Sequence, residues 1–391
     1  MIIHRSFALT GGAERVIIEK ANYLSEQGHT VMLVSYEQGA HPISFPLLDA
    51  VKVVDLDCRF FTLSTYSPLA HYFHFLRLKK KFRESLLQTV TTFRPEVIVL
   101  ASDWQFLIRP VLKAARTIPV MCEFHVSYDF VVKNISGHSG GIKAQLARAY
   151  ARHAVKGLRG CVQLISLTQK DAQRWKDYAR RVVVIPNPLF LYPETTDDVP
   201  RQPARIICVG RLSAEKRFDR TITAFSLIAD KHPDWHIDIF GEGVEKASLQ
   251  QLIQTLGLEQ RIVIHSPTKA IFDEYKKSQL LVLSSEFEGL PMVLLEAMSC
   301  GTPCLSFDCP SGPAEIIDHN VNGLLAKNGD VDDLAEKMEW LITHEEERKA
   351  MGRKARIAAE RYKPSLVLKE WERAYTDNVQ RSMFNIQCSR N

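Results

Sequence analysis

Residues 280–298 read LLVLSSEFEGLPMVLLEAM, an apolar run followed by a short polar turn and then by a second, mostly apolar run. The first run has the length of a buried strand, and the second has the length of a short buried helix. Gly289 lets the turn approach a ligand closely, and Pro291 suits the first helical position. The stretch therefore predicts a strand–turn–helix unit whose free helix N–H groups face a ligand beyond the strand, and a diphosphate fits that place.

The same alternation extends along the whole chain. In the second half, strand-like runs and helix-like stretches alternate from residue 205 to residue 307, and residues 331–379 hold three helix-like segments. The first half alternates in the same way from residue 2 to residue 185, with one helix predicted over 142–158. Short strands separated by helices indicate doubly wound parallel sheets. We predict an α/β protein with two Rossmann-like domains, whose strand ends face a ligand-binding cleft.

A segment rich in proline and acidic residues, 188–203, separates the two patterns and has no period of its own. Such composition is typical of a linker. We predict an N-terminal domain over residues 1–190, a linker over 191–203 and a C-terminal domain over 204–364. Residues 365–391 are predicted to form a helix that packs back toward the first domain.

The composition is that of a globular protein, with 46% hydrophobic and 24% charged residues among 391, enough for two domains with a full core each. No signal peptide is recognisable, and no apolar run approaches the roughly 20 residues that span a membrane. Cys300, Cys304 and Cys309 lack the paired spacing of a zinc site. We expect a cytoplasmic protein, at most peripheral to a membrane, with reduced cysteines and no bound metal.

Positive charge is concentrated in the first half, where residues 1–200 contain 25 Lys or Arg against 17 Asp or Glu. Much of it lies in residues 71–83, HYFHFLRLKKKFR, where aromatic and aliphatic residues alternate with cations. The pattern allows two interpretations. The segment is either a solvated helix face or an amphipathic basic helix that rests on acidic lipid.

A carboxylate stands inside the apolar run that follows the turn. Glu296 is flanked by apolar residues on both sides, and burying a carboxylate costs several kcal/mol unless other groups donate hydrogen bonds to it. The two hydroxyls of a ribose would serve as donors. An internal salt bridge is the alternative.

Two cations follow the strand predicted over residues 205–209. Gly210 begins a turn that carries Arg211 and, five residues later, Lys216. A guanidinium fork and an ammonium group can hold a diphosphate and stabilise the negative charge that grows as a sugar leaves it.

Weaker signals lie in the first half. Gly11 and Gly12 stand at the mouth of a predicted helix, and His125 ends an apolar strand-like run. A glycine pair is a common turn and a histidine at a strand end is often structural, so neither residue defines a site alone.

Together these motifs resemble glycosyltransferase family 4, whose members have the GT-B fold. The resemblance rests on Glu288 and Glu296, which enclose seven residues, on the turn 210–216, and on IPNP at 185–188, GEG at 241–243 and GGAE at 11–14. It covers essentially the whole chain and is strongest over residues 205–330. The stretch 303–317, PCLSFDCPSGPAEII, is most similar to bacterial members that build exopolysaccharide, capsule or lipopolysaccharide.

The resemblance implies a retaining transferase that moves a hexose or N-acetylhexosamine from a nucleotide diphosphate sugar, with UDP favoured, to a glycan or lipid-linked acceptor. Family members retain configuration by front-face attack, in which the leaving phosphate helps to take the acceptor proton. No side-chain nucleophile and no cofactor are then needed, and no nucleic-acid partner is expected.

The resemblance also implies roles for individual residues. Arg211 and Lys216 would bind the donor diphosphate, Glu296 the ribose, and Glu288 the transferred sugar, while His125 and Gly12 would reach across the cleft. The predicted catalytic residues are Glu288, Arg211, Lys216 and His125, and the predicted donor-binding residues are Gly12, Gly210, Arg211, Lys216, Ser266, Thr268, Glu288, Gly289, Leu290, Pro291 and Glu296.

The sequence departs from the family pattern at two places. His4 and Arg5 interrupt the strand predicted over residues 2–7, and Ser266 to Thr268 stand where many relatives have a glycine near the base pocket. The choice between uracil and guanine therefore stays open.

Other readings of the sequence compete with a transferase. Asp55-Leu56-Asp57 has the form of a metal motif but lies far from every phosphate feature, so we interpret it as a chance match. The GEG turn at 241–243 lacks the third glycine of a dinucleotide fingerprint. A GT-B-like epimerase or phosphorylase, or a nucleotide-sugar-binding module without turnover, are the alternative functions.

Overall fold

The computed structural model describes residues 1–9, 11–101, 105–131, 153–196 and 199–388, without the side chains of Pro68 and of residues 381–388. The chain divides into two compact units. Unit 1 comprises Met1–Pro186 and Val367–Asn391, and unit 2 comprises Asn187–Leu366. The helix predicted over residues 142–158 falls mostly outside the described residues.

The described residues of unit 1 form one parallel sheet of seven strands in the order β3-β2-β1-β4-β5-β6-β7. The strands are β1 (Ile2–His4), β2 (Met32–Ser35), β3 (Lys52–Asp55), β4 (Ile98–Ala101), β5 (Val120–Phe124), β6 (Gln163–Ser166) and β7 (Val182–Val184). Every residue of β2, β4 and β5 is buried, as expected for strands that helices cover on both faces.

The described α-helices of unit 1 are α1 (Gly12–Glu26), α2 (Pro68–Phe93), α3 (Ile108–Ala115) and α4 (Gln169–Trp175), and short 3₁₀ turns lie at Phe60–Thr65, Gln105–Leu107 and Lys156–Gly160. The long final helix, Pro364–Cys388, also contributes to this unit. From it, Trp371 donates from Nε1 to the carbonyl oxygen of Pro186 at 2.9 Å, and Asn378 donates to Gln163 Oε1 at 3.2 Å.

Unit 2 contains a parallel sheet of six strands in the order β10-β9-β8-β11-β12-β13. The strands are β8 (Arg205–Val209), β9 (His236–Phe240), β10 (Ile262–His265), β11 (Leu280–Leu283), β12 (Cys304–Phe307) and β13 (Gly323–Ala326). The helices are α5 (Phe218–Ser226), α6 (Lys246–Thr255), α7 (Ile271–Lys277), α8 (Met292–Ser299), α9 (Pro313–Ile316), α10 (Val331–Thr343), α11 (Glu345–Ala359) and α12 (Pro364–Cys388), the last of which continues into unit 1.

Both strand orders reverse direction within the sheet, between β1 and β4 in unit 1 and between β8 and β11 in unit 2. This is the doubly wound arrangement, in which ligands bind beyond the carboxyl ends of the strands at the point of reversal. The prediction of two Rossmann-like sheets is confirmed.

Several elements differ from their prediction. The first strand ends at His4 rather than Phe7, and helix α5 ends at Ser226, with a separate 3₁₀ turn over Ala229–Lys231. Strand β13 and the short helices α4, α7 and α9 were not recognised in the sequence. Elements of four to seven residues complete less than two helical turns or three strand repeats, so they leave little periodic signal.

The basic segment 71–83 lies within α2, and its apolar residues divide into two groups. Phe82 is fully buried in the core of unit 1, whereas Phe73 is 61% exposed and Leu76 is 43% exposed. Only some of its apolar residues therefore lie on the outer surface. Among the described residues no helix is both long enough and apolar enough to cross a membrane.

Candidate functional site

In unit 2, the turns that follow β8 and β11 meet at the reversal point of the sheet. The two strands are neighbours, with Ile206 beside Leu280 and Ile207 beside Leu281. One turn carries Lys216 and the other carries Glu288. Lys216 Nζ donates to Glu288 Oε1 at 2.6 Å, which joins residues 72 positions apart. The sequence predicted both residues for the site but did not predict this contact.

The Lys216–Glu288 pair is anchored by hydroxyl groups. Ser285 Oγ also donates to Glu288 Oε1, at 2.6 Å. The buried hydroxyl of Ser284 donates to the carbonyl oxygen of Arg217 at 2.7 Å, and the Glu286 N–H donates to the carbonyl oxygen of Glu215 at 2.8 Å. These bonds fasten the turn after β11 to the turn after β8, so the positions of the two charged side chains are fixed by their backbones.

Glycines allow the turns to lie this close together. A Cβ on Gly241 would lie 2.0 Å from the carbonyl oxygen of Gly210, and one on Gly243 would lie 2.2 Å from that of Leu212. Gly312, with φ +98, packs a loop from the end of β12 against Gly289 and Pro291. The GEG motif thus serves backbone packing in this structure, which explains its glycines without a dinucleotide.

Arg211 projects from the same turn as Lys216 and is exposed. Within the described chain its guanidinium has no hydrogen-bond or carboxylate partner, unlike Lys216. It is therefore available to an anion that binds at the reversal point, where its planar fork could hold two phosphate oxygens.

Helix α8 begins beside this pair. Its first residue is Met292, and Pro291 is the residue before the helix, with φ −72 and ψ 96. The expectation that Pro291 takes the first helical position is therefore off by one residue, within the ordinary uncertainty of helix ends. The free N–H groups of the first turn follow Gly289 and Leu290 directly, and they provide the positive end of the helix dipole.

Glu296, the fifth residue of α8, is half-buried rather than fully buried. It accepts a hydrogen bond from Tyr275 Oη at 2.9 Å. Burial and the neighbouring Glu296 raise the pKa of Tyr275 well above its usual value of 10, so this phenol remains a donor. A tyrosine is therefore one partner of the carboxylate, and no local pattern in the sequence indicates it.

The residues predicted near the base pocket lie at the end of β10. Ser266 is exposed, and Thr268 is half-buried and accepts a hydrogen bond from the Ala270 N–H at 3.1 Å. Just before them, His265 Nε2 lies 2.7 Å from Asp238 Oδ1, and its ring stacks on Phe240 with centroids 4.7 Å apart. The structure gives Ser266 no hydrogen-bond partner among the described residues.

In unit 1, His125 belongs to a buried polar cluster at the end of β5. Its Nε2 lies 3.3 Å from Glu123 Oε2, and the same carboxylate forms an ion pair with Lys20 at 2.5 Å. Tyr375 Oη donates to the other oxygen of Glu123, and Lys20 Nζ lies 3.6 Å from the centre of the Trp371 ring. His125 is thus held by residues from three separate elements. Of the residues in this cluster, only His125 was predicted from the sequence to belong to a site.

The charge states of this cluster follow from its burial. Burial alone would raise the pKa of Glu123, but Lys20 and the hydrogen bond from His125 outweigh it and lower the pKa to about 2. Burial lowers the pKa of His125, and the nearby Lys20 adds to that effect, while Glu123 opposes it. The Nδ1 atom of His125 is buried without a hydrogen-bond partner in the described structure. A neutral imidazole with one unused nitrogen is the result.

Gly12 is the first residue of α1 and is exposed, and a Cβ at this position would meet no atom within 4 Å. Packing within unit 1 therefore does not require a glycine here. By contrast, a Cβ on Gly11 would lie 2.2 Å from Glu14 Oε2, in the first turn of the helix. Glu14 in turn lies 3.4 Å from His4 Nε2, which gives the polar end of β1 a local partner.

The Asp-x-Asp motif has ordinary partners within unit 1. Asp55 accepts hydrogen bonds from Ser35 Oγ at 2.9 Å and from the Gly39 N–H at 2.9 Å. Asp57 forms ion pairs with Arg59 at 2.5 Å and with Lys81 at 3.3 Å. The two carboxylates therefore bind different protein groups.

Two family models match this chain. The model described as Glycosyltransferase Family 4 matches residues 10–189, and the model described as Glycosyl transferases group 1 matches residues 197–358. Together they cover most of the sequence, and the second includes every predicted site residue of unit 2.

Curated relatives are bacterial transferases. The chain is 28% identical over 384 residues to the amylovoran biosynthesis glycosyltransferase AmsD of Erwinia amylovora, covering 95% of this chain and 97% of the relative. It is 26% identical over 366 residues to an uncharacterised glycosyltransferase of Haemophilus influenzae, covering 93% and 95%. It is 34% identical over 172 residues to lipopolysaccharide 1,6-galactosyltransferase of Salmonella typhimurium, covering 43% and 48%.

Solved structures share the fold. S. aureus TarM, crystallised as a mutant with Fondaparinux, alpha-GlcNAc-glycerol and UDP, superposes with a TM-score of 0.74 at 14% identity and covers 96% of this chain and 99% of that chain. The two parallel sheets correspond to the two Rossmann-like sheets of GT-B enzymes. The chain therefore belongs to glycosyltransferase family 4 and is a glycosyltransferase with the GT-B fold.

Proposed function

We propose that this protein is a retaining transferase that moves a hexose or an N-acetylhexosamine from a UDP-sugar to a glycan or lipid-linked acceptor during the synthesis of surface polysaccharide or glycolipid. The observation that carries the proposal is the Lys216–Glu288 contact at the reversal point of the unit 2 sheet, beside the N-terminus of α8. Relatives named for amylovoran and lipopolysaccharide synthesis support the acceptor class, and the UDP in the TarM structure supports the nucleotide.

The donor would bind with its diphosphate at Arg211, Lys216 and the first turn of α8. Lys216 has three N–H donors and gives one to Glu288, so two remain for phosphate oxygens. Glu288 would accept hydrogen bonds from hydroxyls of the transferred sugar, with the N–H groups of Gly289 and Leu290 beside it. Glu296 would accept from the ribose hydroxyls. Ser266 and Thr268 would lie near the base.

In the transfer itself, the bond from C1 of the sugar to the diphosphate oxygen breaks as the bond to the acceptor oxygen forms on the same face. The acceptor proton passes to an oxygen of the leaving diphosphate, so no protein carboxylate has to attack. The cations at 211 and 216 stabilise the negative charge on the leaving group. In unit 1, His125 and Gly12 would contact the sugar and the acceptor, with the unprotonated Nδ1 of neutral His125 accepting a hydrogen bond from a hydroxyl.

We propose that turnover requires neither a metal ion nor an organic cofactor. Arg211, Lys216 and the helix N-terminus supply the positive charge that a divalent ion provides in other transferases. Transfer should persist in excess chelator. Complete loss of transfer under chelation, restored by magnesium or manganese, would contradict this part of the proposal.

A panel of nucleotide sugars tests the donor. Each is added to the purified protein, and thermal unfolding is followed together with sugar transfer to an acceptor. A ligand at 100 times its dissociation constant adds about 2.7 kcal/mol of stability, and the product anomer reports retention or inversion. Stabilisation by a UDP-sugar with neither transfer nor hydrolysis would indicate a binding module. Conversion of the donor sugar without an acceptor would indicate an epimerase, and transfer to free phosphate a phosphorylase.

We also propose that the protein works in the cytoplasm, with unit 1 contacting the anionic inner face of a membrane through residues 71–83. The exposed side chains of Phe73 and Leu76 beside several cations support this placement, since each cation near an anionic leaflet contributes about 1 kcal/mol. Changing Lys79, Lys80 and Lys81 to glutamate should abolish binding to anionic vesicles and slow transfer to a membrane-embedded acceptor. Donor hydrolysis in solution should be unchanged.

A further inference from the structure

A cavity of about 530 Å³ in unit 1 is lined by helices α2 and α3. Five of its lining residues are cations, and none of the described residues that line it is Asp or Glu. The cations are Lys79, Lys80 and Arg83 from α2 and Arg109 and Lys113 from α3. Two of the five thus lie outside the basic segment that the sequence revealed, and they meet it only because the two helices pack side by side.

The positive charge of this cavity is barely neutralised by the protein. In the described chain Lys79, Arg109 and Lys113 form no ion pair, and Lys80 and Arg83 reach only Glu84, each at 3.9 Å. Burial, then Arg109 and Lys113, lower the pKa of Lys79. Lys79 is half-buried and the other four cations are exposed, so a bound anion would mainly return the free energy that it costs to hold these like charges close together.

A second cation-rich cavity shows that cations alone do not make an anion site. It lies in unit 2, has a volume of about 250 Å³, and is lined by Arg201, Arg348 and Arg356 among others. Arg201 donates to the carbonyl oxygen of Gly301 at 2.7 Å, Arg348 to that of Leu341 at 2.6 Å, and Arg356 to that of Pro193 at 2.6 Å. These cations hold backbone carbonyls in place. Among the described residues of the unit 1 cavity, the one comparable bond is long, 3.4 Å from Arg109 to the carbonyl oxygen of His153.

Next to the unit 1 cavity, helix α2 exposes an apolar surface. Leu69 is 72% exposed, Tyr72 57%, Phe73 61% and Leu76 43%. Leu76 also lines the cavity, so the two surfaces are continuous. From Leu69 to Leu76 the helix advances about 10 Å. A cationic cavity bordered by exposed apolar side chains matches a molecule with an anionic head and a hydrocarbon tail.

We propose that this cavity binds the phosphomonoester or diphosphate head of a membrane lipid, with Arg109 and Lys113 holding phosphate oxygens and the apolar surface of α2 contacting the chains. The proposal rests on and deepens the membrane contact proposed above, because it names the group that is recognised. Binding of this kind differs from a general attraction between positive and negative charges, because it depends on two particular residues of α3.

Vesicle binding with matched charge changes tests the proposal. Arg109→Gln with Lys113→Gln removes two charges from the cavity, and Lys176→Gln with Arg180→Gln removes two charges from exposed positions of unit 1 that neither line it nor belong to residues 71–83. Phosphatidylcholine vesicles would carry either phosphatidic acid, a phosphomonoester, or phosphatidylglycerol, a phosphodiester, adjusted to equal surface potential. We expect the cavity pair to weaken binding to the phosphatidic acid vesicles at least tenfold and the control pair less than threefold.

A soluble probe separates the two sources of phosphate. Millimolar pyrophosphate should displace the unmodified protein from phosphatidic acid vesicles, and it should not do so for the cavity variant. If both double variants lost vesicle affinity equally, or if the protein bound the two anionic lipids equally well, the contact would be explained by general electrostatic attraction. Either result would overturn the proposal. Pyrophosphate binding through Arg109 and Lys113 without vesicle binding would overturn the lipid as the source and leave a soluble phosphate ester in its place.

Binding of the nucleotide sugar by unit 2 provides an independent control. Arg109 and Lys113 belong to unit 1 and have no place in the proposed donor site, so stabilisation by a UDP-sugar should be the same in the unmodified protein and in both double variants. If the unmodified protein bound no UDP-sugar, that result would contradict the proposed transferase activity. Loss of vesicle selectivity with donor binding intact would contradict only the lipid site.

Discussion

Two lysine–glutamate pairs, one in each unit, have nearly the same geometry but different surroundings. Lys216 and Glu288 lie 2.6 Å apart in unit 2, and their side chains are 22% and 10% exposed. Lys20 and Glu123 lie 2.5 Å apart in unit 1, and both side chains are 1% exposed. The first pair stands at the reversal point of its sheet, whereas the second joins α1 to β5 in the interior.

The difference lies in what surrounds each pair. Around Lys20 and Glu123 the remaining positions are filled by Tyr375, His125 and the Trp371 ring. Around Lys216 and Glu288 the described structure provides one further bond, from Ser285. A pair whose partners are complete holds elements together. Lys216 still has N–H groups available at the end of a strand, and these can bind a ligand. This arrangement suits a site for the nucleotide sugar.

The largest expected effect is on stability. Lys20→Met leaves the Glu123 carboxylate buried without its counter-ion and should lower the free energy of unfolding by about 3–5 kcal/mol. Lys216→Met, at a partly exposed pair, should lower it by about 1 kcal/mol or less. Urea unfolding of both variants measures the contrast. Equal losses would show that burial does not separate the two pairs.

The reverse order is expected for activity. Lys216→Met should reduce turnover by about 10²–10³-fold, the usual cost of removing one group that stabilises transition-state charge. Lys231→Met is the matched control, because Lys231 forms an exposed ion pair with Glu339 at 3.1 Å, and its turnover should stay within twofold. Steady-state transfer assays decide this. An unchanged rate for Lys216→Met would remove it from the catalytic group.

The pH dependence of stability should report the buried pair. The folded pKa of Glu123, about 2, lies below its ordinary value of 4.5. Its contribution is therefore fully present above pH 4.5 and is lost as pH falls toward 2, because the unfolded chain binds the proton first. Below pH 4.5, the slope of the unfolding free energy against pH reports how many more protons the unfolded chain binds than the folded one. Glu123→Gln should reduce that number by up to about one. An acid limb of unchanged slope would contradict the ion pair.

The smallest expected effect separates the two glutamates of the donor site. Glu296→Ala should weaken the affinity for UDP about tenfold, since it removes the proposed ribose contact. Glu288→Ala should leave UDP affinity within threefold and lower turnover instead, since it contacts the transferred sugar. Calorimetric titration with UDP and transfer assays give both quantities. Equal affinity losses in the two variants would mean that the roles are wrongly assigned.

The sequence alone determined the local parts of this protein. Strand β11, the turn with Gly289 and the helix that follows were predicted within one residue, because apolar period, glycine and proline act over a few neighbouring positions. The repeated alternation of such parts also determined the doubly wound class. Residues 142–158 and the domain limits stay predictions.

Which distant residues meet depends on how the strands and helices pack. The Lys216–Glu288 bond depends on β8 and β11 being neighbours, and the Lys20–Glu123–Tyr375 cluster joins residues up to 355 positions apart on three elements. The unit 1 cavity likewise needs α3 beside α2. A side chain's burial, partner and charge state are set by the elements packed around it, and those are fixed by sheet order, which no local pattern of residues encodes.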